Sequence, residues 1–577
     1  MNIVLTAINA KYIHSNLAVY SLKAYAGAYR EQISIAEYTI NQRTDEILMD
    51  LYKRQPEILC FSCYIWNLTY VEELVRNIKK ILPHTRIWLG GPEVSYDAES
   101  VLKRYPEAEL VMKGEGEATF LELLDHVCQN QKTDMTGIKG ITYRNTCGGI
   151  VDNAWREVID LSEVPFVYDD LKQFEHKIIY YETSRGCPFS CSYCLSSVEK
   201  KLRFRSLDLV KQELQHFLDH KVPQVKFVDR TFNCNHGHAM EIWKFIKEHD
   251  NGITNFHFEA AADLLKEEEI ELIKTMRSGL IQLEIGVQST NSKTIDEICR
   301  KTEFAKAASV VKEIESAGNV HLHLDLIAGL PHEDYNSFAR SFNEVYALHP
   351  EQLQLGFLKV LKGSFMEVQK EAYGLVYKDE PPYEVLSTDW LIYEDIVRLK
   401  QVEEMVEVYY NSGQFTATLP HLEQVFETPF RLYEALGNYY EVNGLFRISH
   451  SRVKRYEILL DFAKCHDGAN EDRYRQLVTF DLYLREKLKS RPAFAKLPDL
   501  PEQAVRCFYE KEAEKPEYLR GYEAYDKRQL RKMTHIEHFS VAVNGDGKEK
   551  DNYILFDYRN RNPLNHQAAI FPLNFNI

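Results

Sequence analysis

IIYYETSRGCPFSCSYC, residues 178–194, is the stretch on which the reading of this chain turns. It opens as a strand from Ile178 to Ser184, turns at Arg185-Gly186, and then sets Cys187, Cys191 and Cys194 within eight residues. So short a loop brings every sulfur within bonding range of one small metal centre, and iron–sulfur clusters take thiolate ligands. Three ligands for four irons leave one iron open to chelate a substrate. A zinc site would want a fourth ligand, which His176 or His216 could supply, although zinc motifs usually come as separated pairs. The bland reading makes the three cysteines structural. Of the 11 cysteines most others, such as Cys128, Cys147, Cys299, Cys465 and Cys507, are scattered singly, which is no disulfide framework and fits a reducing compartment.

Downstream, a βα series continues the strand at 178–184 with QVKFVDRTF (224–232), NFHFEAA (255–261), LIQLEIGVQ (280–288), VHLHLDLIAGLP (320–331) and QLQLGFLKV (352–360). Six βα units fall short of a closed eight-stranded barrel, so a partial, open barrel over about 175–365 is expected. Upstream, IVLTAI (3–8), ISIAEYTI (33–40), ILCFSCY (58–64), RIWLGG (86–91) and LVMKGEGE (110–117) are continuous apolar strands separated by helical periods. That pattern means a parallel sheet covered on both faces, here a Rossmann-like doubly wound α/β domain over 1–136. Residues 137–174 read as hairpin and linker. From 366 to 577 the chain turns mainly α-helical, ending in two strand-like runs with Asn544-Gly545 as the turn between them, a small terminal β-hairpin.

The cysteine spacing, with an aromatic before the last cysteine at the end of a first barrel strand, resembles the radical S-adenosylmethionine (SAM) superfamily over about 175–365. The resemblance implies a [4Fe–4S] cluster on Cys187, Cys191 and Cys194 and SAM across the strand ends. It sets Tyr193 on the adenine, Asp229 near the amino group, Glu259 at the ribose, Gln288 beside ribose and carboxylate, Arg300 as a carboxylate partner, and the Ile327 to Gly329 backbone along the adenine. The domain before it is similar to the cobalamin-binding domain of many such enzymes. Ser62, Gly90, Gly91, Gly114, Glu115, Gly116 and Glu117 are the matching strand-end positions. The D-x-H-x-x-G motif of such domains is missing: the loop after the first strand reads Asn9-Ala-Lys-Tyr-Ile-His14-Ser-Asn. No histidine is therefore expected beneath the cobalt. Cys60 and Cys63 lie inside a predicted strand with no second pair, which argues against a metal site there.

With 577 residues, two to four domains are expected, and 45% hydrophobic with 27% charged residues is ordinary for globular protein. A net charge of −16 argues against a general nucleic-acid coat, without excluding a local groove. No apolar run is long enough for a membrane span and the start lacks a signal-peptide layout, so a cytoplasmic location is expected. The leading reading is a cobalamin-dependent radical SAM enzyme that methylates an unactivated carbon. Alternatives are a cobalamin-assisted rearrangement or cyclisation, a radical SAM reaction without cobalamin, and a non-catalytic cobalamin or redox sensor. The implied partners are a reductant such as flavodoxin or ferredoxin and a small or anionic substrate. Lys200, Lys201, Arg203 and Arg205 could steer an anion, or form a solvated basic turn.

Overall fold

The computed structural model describes residues 1–128, 135–495, 500–543 and 552–574. Residues Met1–Ala317, Ile327–Asp334 and Gly356–Ile392 form one compact unit; Gly318–Leu326, Tyr335–Leu355 and Tyr393–Ile577 form a second.

The first sheet holds β1 (Ile3–Asn9), β2 (Ile33–Thr39), β3 (Ile58–Ser62), β4 (Arg86–Gly90), β5 (Leu110–Met112), β6 (Ile141–Arg144) and β7 (Ile150–Asp152) in the order β2-β1-β3-β4-β5-β6-β7. The first five strands are parallel, and the β6–β7 hairpin adds antiparallel to β5. Alternation along each strand feeds two separate cores, because successive side chains point to opposite faces. Val4, Ile8, Leu59, Phe61, Ile87, Leu89 and Val111 pack in one. Ile3, Leu5, Ala7, Ile58, Trp88, Leu110 and Met112 pack in the other. Cys60 and Cys63 fall into different cores, so they cannot share a metal ion. The strand order reverses between β1 and β3, which opens the ligand crevice of a doubly wound sheet at their carboxyl ends.

The second series starts with β8 (Ile179–Tyr181). A two-residue hairpin, β9 (Ser184–Arg185) with β10 (Arg203–Phe204), flanks the cysteine loop on both sides. The series continues through β11 (Gln224–Phe227), β12 (Asn255–Glu259), β13 (Ile281–Gln288), β14 (His321–Ala328) and β15 (Gln352–Phe357). β8, β11, β12 and β13 pair in parallel, with Tyr180, Lys226 and His257 abreast. Their outward residues Tyr181, Phe227, Phe256, Phe258 and Leu283 are buried. Phe227 and Phe258 both meet Phe232, and Phe258 also meets Trp243, in tilted and edge-on ring contacts.

Several strands are shorter than their sequence patterns. β11 stops at Phe227 because Asp229 turns inward as a hydrogen-bond acceptor and Phe232–Cys234 coils into a short helix. β14 stops at Ala328 because Gly329 takes φ +91°. A short β16 (Val376–Tyr377) and β17 (Val385–Ser387) pair beyond the barrel series, where the sequence pattern predicts no strand.

The second unit carries the helices Tyr393–Met405, Pro429–Val442, Arg452–Asp467 and Glu471–Arg485. The Pro429 helix starts on a Thr428 side-chain cap with proline in its first turn, where a missing N–H costs nothing. At the end, β18 (Thr534–Phe539) and β19 (Asn552–Arg561) pair antiparallel, and β20 (Ala568–Leu573) adds a third strand. The Asn544-Gly545 turn lies outside the described residues.

Candidate functional site

Gly186 precedes the cysteine loop at φ +88°, and a Cβ there would lie 2.7 Å from the Lys201 carbonyl oxygen, so only glycine lets the loop close on the β10 side. The Cys194 amide donates to the Cys191 carbonyl at 3.2 Å, and the Ser192 amide donates to Ile298 at 2.9 Å. Cys187 and Cys191 are buried and Cys194 half-buried. Burial raises the Cys191 thiol, and Arg300 works against it. Arg300 Nη1 lies 3.8 Å from Cys191 Sγ and 3.4 Å from the Tyr193 hydroxyl. The same guanidinium donates to the Gly286 carbonyl. Neither zinc candidate belongs to this loop: His216 Nε2 pairs with the Tyr168 carbonyl at 3.1 Å and His176 stands exposed beside Glu175.

Asp229 is buried and fully used. It accepts from the Thr183 amide at 3.0 Å, Thr183 Oγ1 at 2.6 Å and Ser184 Oγ at 2.6 Å. Burial pushes its carboxyl up to about 6 against these donors. It braces the strand that leads into the cysteines instead of presenting a free carboxylate. His238 extends the brace, with Nε2 at 3.1 Å from Thr183 Oγ1. Thr183, Ser184 and His238 were not singled out from sequence; only the three-dimensional meeting of β8 and the loop after β11 exposes them. Glu259 ends β12 and Gln288 ends β13. Gln288 adopts φ +71°, and its buried Oε1 has no hydrogen-bond partner among the described residues. Ile327 and Gly329 lie at the end of β14, where a Cβ on Gly329 would strike Val385 at 2.7 Å.

A cavity of about 690 Å³ opens at the carboxyl ends of β1, β3, β4 and β5. Ser62, Gly90, Gly91, Gly114, Glu115 and Gly116 all line it. So do Tyr180, Ser184, Arg185, Gly186 and Ser196, which flank the cysteine loop. The strand ends of the first domain and the approach to the cysteines therefore share one space. The glycines owe their place to close packing: a Cβ on Gly91, at φ +113°, would sit 2.5 Å from the Cys63 carbonyl oxygen, and one on Gly116 would sit 3.0 Å from Leu22. Glu115 is tied to Arg203 at 3.0 Å and to Arg185 at 3.5 Å, and Arg185 also holds Glu117 at 2.6 Å. Glu115 thus clamps the β5 loop to the hairpin around the cysteines. His14 lines the cavity with Nδ1 hydrogen-bonded to the Tyr180 hydroxyl at 2.6 Å, and burial lowers its pKa.

Three of the four basic residues after the cysteines are engaged within the chain, while Lys201 stands exposed. Arg203 holds Glu115, Arg205 is buried on Glu213 and two carbonyls, and Lys200 donates to the Phe189 carbonyl at 2.6 Å. The inward face of the barrel strands is polar instead. Lys226 Nζ lies 3.1 Å from Glu284, and His257 Nε2 lies 2.9 Å from the same oxygen.

Three family models match this chain: a B12 binding domain over 3–124, the radical SAM superfamily over 181–345, and a protein domain of unknown function, DUF4080, over 371–556. The chain is 25% identical over 351 residues to the cobalamin-dependent radical SAM methyltransferase TokK of Streptomyces tokunonensis, covering 56% of this chain and 50% of TokK. It is 27% identical over 299 residues to an uncharacterised methyltransferase of Pyrococcus horikoshii, covering 50% of this chain and 63% of that protein. The chain thus spans half to under two thirds of the length of these curated relatives. Among solved structures it resembles the cobalamin-dependent SAM radical enzyme OxsB with aqua-cobalamin bound, at TM-score 0.57 and 17% identity, covering 83% of this chain and 80% of that one. That likeness is one of fold.

Proposed function

We propose that this chain, which joins a B12-binding domain to a radical SAM domain and a DUF4080 domain, is a cobalamin-dependent radical SAM methyltransferase acting on a small polar substrate. The single cavity that runs from the β1–β5 strand ends to the cysteine loop carries this reading. The chemistry supplied by the bound groups is reductive cleavage of SAM to a 5′-deoxyadenosyl radical, hydrogen abstraction, and methyl delivery from cobalamin to an unactivated carbon.

The residues fit those groups. Cys187, Cys191 and Cys194 offer three thiolates on one loop, and Arg300 supplies positive charge where they gather. Gln288 Oε1 is an orphaned buried acceptor at a strand end, and such an atom wants a donor. Tyr193, Glu259 and the Ile327 to Gly329 backbone would line SAM, whereas Asp229 acts through Thr183 and Ser184. Ser62, Gly90, Gly91 and Gly114 would line the corrin side of the cavity. Tyr180, Lys226, His257 and Glu284 face the barrel interior, and that lining supports a substrate able to hydrogen-bond. A flavodoxin or ferredoxin would deliver the electron.

Anaerobic reconstitution with iron, sulfide and hydroxocobalamin tests the reading. Both absorption signatures should be retained, and the reduced protein should release 5′-deoxyadenosine from SAM. Alanine at any of Cys187, Cys191 or Cys194 should abolish both the cluster signal and release, while Cys60→Ala and Cys63→Ala should keep them. Failure to retain cobalamin would remove the methyltransferase reading; absence of 5′-deoxyadenosine from cluster-loaded protein would leave a sensor.

A further inference from the structure

Arg300 is a cation with no carboxylate in direct contact among the described residues. The helix Ser292–Glu297 ends in a turn in which the Arg300 amide donates to the Ile295 carbonyl at 3.0 Å and Cys299 takes φ +54°. That turn is fastened to the cysteine loop through the 2.9 Å bond from the Ser192 amide to Ile298. It aims the guanidinium inward. One arm donates to the Gly286 carbonyl and the other reaches Cys191 Sγ and the Tyr193 hydroxyl. Its Nε is buried with no hydrogen-bond partner, and its other nitrogens meet a thiol, a phenol and a carbonyl instead of an Asp or Glu among the described residues. Taking a guanidinium partly out of water without a counter-ion is costly. The negative charge in direct contact is that of the thiolates and of whatever they bind, while the half-buried Asp263 carboxyl attracts Arg300 from farther off. Gly286 is part of the arrangement: a Cβ there would lie 3.5 Å from Arg300 Nη2 and 2.2 Å from Gln288 Nε2.

We propose that Arg300 tunes the cluster: by donating to Cys191 Sγ it stabilises the reduced, more negative state and raises the midpoint potential of the one-electron couple. Hydrogen bonds to ligand sulfurs and nearby charge are recognised levers on iron–sulfur potentials. Arg300 acts on the cluster through Cys191 and is a positioning residue, not a catalytic one. This assignment rests on the three-cysteine cluster of the proposed function. It differs from the expectation that Arg300 pairs with the SAM carboxylate.

The experiment is a redox titration followed by electron paramagnetic resonance. It compares the reconstituted full-length protein, Arg300→Gln and Arg300→Lys in the absence of SAM, with iron content measured on each sample. Wild-type protein that binds no iron on its three cysteines would sink the functional reading before Arg300 is in question. In loaded samples, the Arg300→Gln midpoint should be more negative than wild type. Arg300→Lys should fall between the two, since an ammonium keeps charge but cannot bond the Gly286 carbonyl and Cys191 sulfur together as a planar fork does. If Arg300→Gln loads poorly, Arg300→Lys decides alone. A wild-type midpoint in a fully loaded variant overturns the proposal, and weakened SAM binding in that same variant would make Arg300 a SAM contact. Loss of the cluster from both variants would make Arg300 a prop of the loop, and also overturns it.

Discussion

Asp229→Asn separates bracing from ligand contact at the entrance to the cysteine loop. The native carboxyl is buried and raised from 3.8 to about 6, an increase that corresponds to about 3 kcal/mol of ionisation cost. Because the folded state holds this proton more tightly than the unfolded chain, the favourable contribution is complete below the unfolded value. It is lost as pH rises through the folded one. Integrating between pH 5 and pH 7.5 leaves about 1.4 kcal/mol of that loss inside a window where the cluster-free protein can be handled. Asparagine does not titrate, but its amide nitrogen cannot accept from the Thr183 amide or the Ser184 hydroxyl, which costs about 1–3 kcal/mol at every pH. Urea unfolding of cluster-free wild type and Asp229→Asn, at matched pH values across the window, should show the stability gap between them closing as pH rises. A gap that stays constant would show that Asp229 does not titrate there and would refute the burial argument. SAM affinity of the reconstituted variant should change less than that of a residue that touches the ligand.

Three further outcomes are expected. Gly91→Ala should destabilise the first domain by about 1–3 kcal/mol from its positive φ alone, with the 2.5 Å approach to Cys63 adding to it, seen as loss of cobalamin retention at raised temperature. A double-mutant cycle on Glu115→Gln and Arg203→Gln should return a coupling energy of about 1–3 kcal/mol in urea unfolding; additivity would mean that the clamp is not a stabilising contact. Gln288→Ala should weaken SAM binding by about 1–3 kcal/mol in calorimetry on cluster-loaded protein, and unchanged affinity would take Gln288 out of the site.

The strands that organise the cavity were legible because their signal is local: short apolar runs such as IVLTAI and ILCFSCY, recurring between helical periods, read as strands buried on two faces. The cysteine loop was legible because its three cysteines lie within eight residues. What was not legible depends on approach across the fold. Nothing around Arg300 indicates that a helix-end turn aims it at a cysteine 109 residues earlier in the chain. Glu115 looks like a loop carboxylate until Arg203 arrives from the hairpin, 88 residues on. Asp229 reads in sequence as a strand-end carboxylate, but its oxygens are taken by Thr183 and Ser184, whose position requires β8 and β11 to be paired. The β20 strand escaped because AAIFPL is apolar at every position, so it shows no alternation, and it carries Pro572.

The two faces of the barrel strands have a consequence for how such a protein diversifies. On β12, Phe258 is fully buried in the aromatic layer, while its neighbours His257 and Glu259 belong to the inner face. Truncating Phe258 would remove about 3–5 kcal/mol of packing, enough to threaten folding by itself. An exchange at His257, Lys226 or Glu284 alters one polar cluster, in which both cations meet the same Glu284 oxygen, and leaves the aromatic layer untouched. Adjacent codons on one strand therefore sit under different constraints. The outer series is pinned by packing, whereas the inner series answers to its own polar contacts.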